Sequence, residues 1–97
     1  MPMVTGRISG LSGGPPPTGR TFYAALFLGA IKKAGPGLID ADGDYVFTNV
    51  LASGGGIDYE LEIKESLDNG YSLMTPRKLF KVYQTPVVAN ATTNKWT

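Results

Sequence analysis

Apolar and polar residues alternate most regularly between residues 57 and 65. Ile57, Tyr59, Leu61 and Ile63 occupy every second position, and charged residues fill the positions between them. Successive side chains of a β-strand point to opposite faces of its sheet, so this period of two predicts a strand with one buried and one solvated face. No window of fifteen residues sustains a 3.6-residue apolar period, which argues against a long helix.

Shorter apolar segments, separated by clusters of glycine and proline, predict further strands. We expect strands at residues 4–11, 21–30, 45–50, 71–74 and 77–83. We expect turns or loops at residues 12–19, 32–37, 40–44, 52–56 and 66–70. A short buried helix is the alternative for the second strand, but the flanking Gly and Pro residues favour a strand. Gly6 and Gly10 share one face of the first strand, which predicts the close approach of another backbone or a large side chain.

Short strands at near-regular spacing with polar turns predict an all-β sandwich of two antiparallel sheets. We place the sandwich in residues 1–83. Residues 84–97 have no core pattern of their own, so we expect an extended C-terminal arm. The period-2 pattern predicts a core of Val4, Ile8, Leu26, Leu28, Tyr45, Phe47, Tyr59, Leu61 and Ile63.

The order of these segments also carries a resemblance. A Gly-x-Ile-x-Gly strand at residues 6–10 precedes a Pro/Gly loop, an apolar strand and the run Asp-Ala-Asp-Gly-Asp-Tyr-Val-Phe-Thr-Asn-Val at residues 40–50. A Gly-rich loop at residues 54–56 and Tyr-Glu-Leu-Glu-Ile at residues 59–63 follow. Over about residues 5–82 the chain resembles the carboxypeptidase-regulatory-like, or transthyretin-like, domains. The resemblance implies an immunoglobulin-like antiparallel β-sandwich of about seven strands that serves as a spacer, adhesive module or structural accessory and shares no catalytic residues.

Composition removes most catalytic and metal chemistries. The 97 residues include no His and no Cys, and 9 Lys+Arg against 8 Asp+Glu give a net charge of +1. The chain therefore lacks the usual general base at neutral pH, disulfides, thiolate nucleophiles and Cys-based zinc sites. A near-zero charge creates no field that attracts nucleic acid or an anionic membrane. We predict a non-enzymatic protein with no cofactor, no small-molecule substrate, no nucleic-acid partner and no membrane association.

One acidic cluster needs separate treatment. Asp40, Asp42 and Asp44 are spaced like the first three ligands of a calcium loop. Tyr45 and Leu51 stand where an EF-hand requires Gly and an acidic residue. We predict a turn whose carboxylates accept hydrogen bonds from the local backbone, with no metal site; a loose calcium site is the alternative.

Apolar surface left over from the core predicts a protein partner. A sandwich strand can bury only one face in its own core, so Tyr23 and Phe27 on the second face of the second strand need another cover. Val87, Val88 and Trp96 on the arm have no place in the period-2 core. We predict that these five residues contact a neighbouring copy or a different protein, so that the chain forms a homo-oligomer or binds other subunits.

These features predict a structural protein of a virus particle, specifically a tailed-phage capsid decoration or tail accessory protein. A short chain without Cys or a secretion signal is typical of a virion protein assembled in the host cytoplasm, where capsid or tail subunits would cover its apolar surface. The alternative is an adhesin-like or carbohydrate-binding module of a cell-surface or secreted protein. In that case Tyr71 and Trp96 would stack on sugar rings.

Overall fold

A computed structural model of the chain describes residues 2–65 and 78–97. Those residues form β-strands connected by turns and loops, with no helix among them and hence no apolar helix of membrane-spanning length. The strands are β1 (Val4–Ser9), β2 (Phe22–Leu28), β3 (Ile31–Ile39), β4 (Asp44–Phe47), β5 (Ile57–Glu65), β6 (Lys78–Val82), β7 (Val87–Val88) and β8 (Ala91–Thr92).

The strands form two sheets. Sheet one has the order β4-β1-β7, and β8 also pairs with β1. Sheet two has the order β3-β2-β5-β6 and is antiparallel throughout. One cluster of buried side chains, drawn from both sheets, fills the space between them. The predicted all-β sandwich is therefore confirmed, although β7 and β8 pair with β1 in parallel and not in the expected antiparallel sense.

The predicted core is also confirmed. All of its members are buried except Leu28, which is partly buried against the same cluster. The alternation in β5 places Tyr59, Leu61 and Ile63 at zero exposure in the centre of the core. Each large side chain buried in this way contributes about 1.5–3 kcal/mol relative to an exposed one, so this strand provides a major part of the stability.

Residues 84–97 lie against β1, which corrects the prediction of an arm extending beyond the sandwich. The pairs Val4–Val87 and Ile8–Ala91 each join residues that are 83 positions apart, so they belong to one interrupted ladder. The hydrogen bond between Arg7 and Asn90 joins residues with the same separation. Trp96 is 4% exposed and belongs to the core. The segment folds back because its apolar side chains are buried on its own sandwich instead of remaining in water.

Gly6 in β1 and Gly10 directly after it explain how this segment fits. A Cβ at Gly6 would collide with the main-chain carbonyl of Ala89, and a Cβ at Gly10 would collide with the indole ring of Trp96. The prediction that these glycines admit a close backbone and a large side chain is confirmed. We call Gly6 and Gly10 the glycine sockets.

Residues 32–37, predicted as a turn, instead lie inside β3. The chain reverses at Gly29 and Ala30, where Gly29 has a φ of 60°. In the described part of sheet two β3 is an edge strand, paired only with β2, and two register shifts accommodate its irregular backbone around Gly35. An edge strand tolerates a proline because only one of its sides must supply N–H donors. The predicted turn at residues 66–70 and strand at 71–74 lie outside the described residues.

Candidate interaction surface

Two exposed valines flank Thr5 on the outer face of sheet one. Thr5 of β1 is the register partner of Val46 on β4 and also of Val88 on β7. Partners in register point to the same face of a sheet, so the three side chains form one row. Val46 is 54% exposed and Val88 is 69% exposed. We call Thr5, Val46 and Val88 the outer patch; Met3, which is 44% exposed, precedes it on the chain.

A charged pair borders the outer patch one step further along β1. Arg7 is the register partner of Asp44, and its guanidinium donates two hydrogen bonds to that carboxylate, from Nε to Oδ1 at 2.7 Å and from Nη2 to Oδ2 at 3.0 Å. The hydrogen bonds from Arg7 lower the pKa of the Asp44 carboxyl, and the same bonds raise the pKa of Arg7. Asn90 adds a polar contact, because its Oδ1 accepts a hydrogen bond from the main-chain N–H of Arg7. The outer patch is thus bordered on one side by polar groups.

Protein groups bind two of the three carboxylates in the acidic turn between β3 and β4, those of Asp40 and Asp44. Oδ1 of Asp40 accepts hydrogen bonds from the main-chain N–H groups of Asp42 and Asp44, both at 2.9 Å. Carboxylate oxygens of Asp40, Asp42 and Asp44 lie within 4.8 Å of one another, and they are the groups that could hold a cation. The predicted turn geometry is confirmed. The absence of a metal requirement stays a prediction.

A groove of about 420 Å³ lies between residues 16–21 and the end of β3. Its charged groups are Arg20 and Asp40. Arg20 donates to Glu65 and stacks over the ring of Phe22 at 4.9 Å, whereas Asp40 supports the turn described above. The groove therefore offers proline and aliphatic surface and no charged group aimed at a ligand. That no small-molecule substrate binds here stays a prediction.

The predicted partner-binding residues occupy different environments. Val88 is in the outer patch, and Val87 beside it is half-buried against the core. Tyr23 is half-buried on β2, and Phe27 is only 7% exposed. Trp96 is buried, so it cannot stack on a sugar ring; its suggested role in carbohydrate binding is corrected, and Tyr71 lies outside the described residues. Partner binding by the five residues stays a prediction.

Two members of the outer patch were not expected from the sequence. Val46 alternates with the core residues Tyr45 and Phe47, and Thr5 sits between apolar neighbours. The alternation alone indicates that both side chains face outward. Only the registers of β4 and β7 with β1 show that they form one row with Val88, and no local sequence signal specifies those registers.

Comparison with known proteins establishes the fold. No protein-family model matches this chain, and a search of curated proteins finds no match. Similar solved structures include BcpA, the major pilin subunit of Bacillus cereus, with a TM-score of 0.61 and 15% identity, and a DUF3823 family protein from Bacteroides ovatus, with a TM-score of 0.57 and 19% identity. Each covers 95% of this chain, which spans 28% of the pilin chain and 43% of the Bacteroides chain. The chain has an immunoglobulin-like β-sandwich fold.

Proposed function

We propose that the chain is a non-enzymatic structural protein that binds neighbouring protein subunits through the outer patch. The observation that carries this proposal is the exposure of Val46 and Val88, at 54% and 69%, on either side of Thr5 on the outer face of sheet one. Exposed aliphatic residues in one row of a sheet face favour association, because covering them removes apolar surface from water. Covering the remaining surface of each valine contributes about 1–2 kcal/mol to binding.

The polar groups that border the outer patch give such an interface an orientation. Arg7 and Asp44 neutralise each other, so a partner need not supply a net charge at that point. The near-zero charge of the chain also means that two copies do not repel each other at long range. The patch therefore suits a neighbouring copy as well as a different protein of the same assembly.

The residues available for chemistry support a non-enzymatic role. The sequence contains no His and no Cys. The Asp40 carboxylate accepts hydrogen bonds from its own turn, and the Asp44 carboxylate accepts them from Arg7. General acid–base or nucleophilic catalysis requires a base placed next to the group that it activates. The pKa shifts of Arg7, Asp44 and Lys81 arise from surface ion pairs. Burial raises the pKa of Tyr45 and of Tyr59.

We assign the assembly to a tailed-phage particle, in which the chain would serve as a capsid decoration or tail accessory protein after assembly in the host cytoplasm. Its lack of Cys supports this assignment, since a reducing cytoplasm disfavours disulfides. A subunit or module on a bacterial cell surface is the second candidate. It is favoured by the likeness in fold to a pilin subunit.

Lysine substitution tests the binding surface. Val46→Lys with Val88→Lys places two charges in the outer patch, and we expect at least tenfold weaker self-association or partner binding in sedimentation-velocity experiments. Leu79→Lys is the matched control, because Leu79 is 63% exposed but belongs to β6 of sheet two. Unchanged association of the double variant, or equal weakening by the control, would contradict the proposal.

A second measurement distinguishes the phage particle from the bacterial cell surface as the location of the chain. Antibodies against the chain, applied to purified phage particles and to cell-surface fractions of the producing bacterium, should detect it in the particles. Detection in the surface fraction alone would replace the phage assignment with the cell-surface assignment and would leave subunit binding intact.

A further inference from the structure

We propose that residues 84–97 exchange between two copies of the chain, so that this segment of one copy docks on β1 of the other. We call these residues the exchange segment. The proposal identifies a second copy of the chain as the partner. The contact is the groove along β1 in which this segment lies, and not the outer patch. It therefore goes beyond subunit binding through the outer patch.

The exchange segment docks as a separable unit. Its strands β7 and β8 pair with β1 and, among the described residues, with no other strand. Main-chain hydrogen bonds run beside this ladder, from the N–H of Ala89 to Thr5 at 2.7 Å and from the N–H of Thr93 to Ser9 at 2.8 Å. Removing the segment would leave sheet two and the β1–β4 pair with their own hydrogen bonds. The segment could thus leave without breaking any other strand pair.

The groove is complementary to this particular sequence. The glycine sockets accept the Ala89 carbonyl and the Trp96 indole, where any side chain would collide. The Tyr45 hydroxyl donates a buried hydrogen bond to the Ala89 carbonyl at 2.6 Å. Trp96 packs against Phe22 with ring centroids 4.5 Å apart, and its Nε1–H donates to the carbonyl of Gly14 at 3.0 Å. A second copy carries the same segment and would reproduce each of these contacts.

An exposed connection provides the hinge. Residues 83–86 are exposed at four successive positions and join Val82, at the end of β6 in sheet two, to Val87 in sheet one. Four extended residues span about 13–14 Å, enough to direct the following strand onto an adjacent molecule. Exchange of a terminal segment across such a hinge is an economical route to a dimer, because the native contacts are kept.

An empty groove would be unfavourable, which selects exchange over simple release. Without the exchange segment, the buried Tyr45 hydroxyl would lose its acceptor, and the space filled by Trp96 would become a cavity. The edge of β1 would also present unpaired N–H and C=O groups. An opened copy is therefore driven to refill its groove, and at high protein concentration another copy supplies the same segment in competition with its own.

Introduced cysteines test the exchange directly, because the native chain has no Cys. Thr5 and Val88 are register partners on a solvated face, so their Cα separation suits a disulfide. We would prepare Thr5→Cys and Val88→Cys as two separate full-length proteins, unfold and refold them together at high concentration, and oxidise the mixture. Non-reducing gels and mass spectrometry then measure the disulfide-linked heterodimer. Exchange predicts a several-fold excess over the matched mixture of Thr5→Cys with Val46→Cys.

The control mixture separates exchange from surface association. Val46 is the register partner of Thr5 on the other side, but it belongs to β4, which stays in its own domain under the proposal. Equal heterodimer yields from the two mixtures would indicate contact through the outer patch and overturn exchange, while supporting the proposed function. Absence of heterodimer from both mixtures would also overturn exchange.

A single chain that carries both Thr5→Cys and Val88→Cys confirms that the substitutions are tolerated. It should fold, close an intramolecular disulfide when oxidised as a monomer, and then fail to dimerise by exchange. Dimerisation of this locked chain to the same extent as the reduced chain would contradict the proposal.

Discussion

Replacing Trp96 with alanine should lower the free energy of unfolding by about 3–5 kcal/mol. The side chain is 4% exposed, packs on Phe22 at 4.5 Å between ring centroids, and donates a hydrogen bond to Gly14 at 3.0 Å. Truncation removes that hydrogen bond and leaves a cavity between the Gly10 socket and the core. A tryptophan on an exposed terminal arm would contribute close to nothing.

The loss expected for Trp96→Ala is large relative to the total free energy of unfolding. A domain of this length has a free energy of unfolding of roughly 5–15 kcal/mol, so the variant should retain only part of it. One kcal/mol corresponds to about 4–8 °C in a domain of this size, which predicts a decrease in Tm of roughly 12–40 °C. Unfolding by urea should be followed by far-ultraviolet circular dichroism, because Trp96 is the only tryptophan and its fluorescence is lost in the variant.

Trp96→Phe is the matched control, since it keeps an aromatic ring and removes the Nε1–H donor. It should cost less than the alanine variant, with about 1 kcal/mol from the hydrogen bond. A loss below about 0.5 kcal/mol for Trp96→Ala would refute the packing of residues 84–97 on the sandwich.

Three further predictions concern the same sheet. Gly6→Ala should destabilise the fold by roughly 1–3 kcal/mol, because the new methyl group meets the Ala89 carbonyl, whereas Gly54→Ala, in open space, should change urea stability little. Burial raises the pKa of Tyr45, so stability should decline as pH rises above the unfolded value of about 10, and the decline should be smaller in Tyr45→Phe. The neighbouring guanidinium lowers the pKa of Asp44. The stability contributed by this ion pair is therefore present above the ordinary pKa of about 3.9 and is lost as pH falls through the lower folded value. Asp44→Asn should reduce the acid dependence of Tm, and an NMR titration should place the Asp44 pKa below about 3.9.

Local patterns were enough to predict much of the fold. The alternation in β5, the aspartate turn before β4 and the close approach at Gly6 and Gly10 each follow from neighbouring residues. The glycine sockets show this most clearly, because the absence of two side chains on one face required something large to fill the space. The sequence did not reveal what fills it, since Trp96 lies more than eighty positions away along the chain.

Long-range pairing accounts for what the sequence could not predict. Residues 84–97 lack a period-2 pattern because β7 and β8 are two-residue strands separated by Ala89 and Asn90. The row formed by Val46 and Val88 depends on the registers of two different strands with β1. The turn expected at residues 32–37 was wrong because Gly and Pro there belong to an edge strand, in which irregular backbone is tolerated.

The most direct test of subunit binding through the outer patch is site-specific photo-cross-linking in the cells that naturally produce the protein. A benzophenone side chain would replace Val46 in the full-length protein, and a second protein would carry it at Leu79 on sheet two. We expect Val46 to yield a cross-link to another protein subunit, either a second copy or a different component of the assembly, and Leu79 to yield much less. Recovery of uncross-linked monomer alone from both positions would contradict a structural role based on the outer patch.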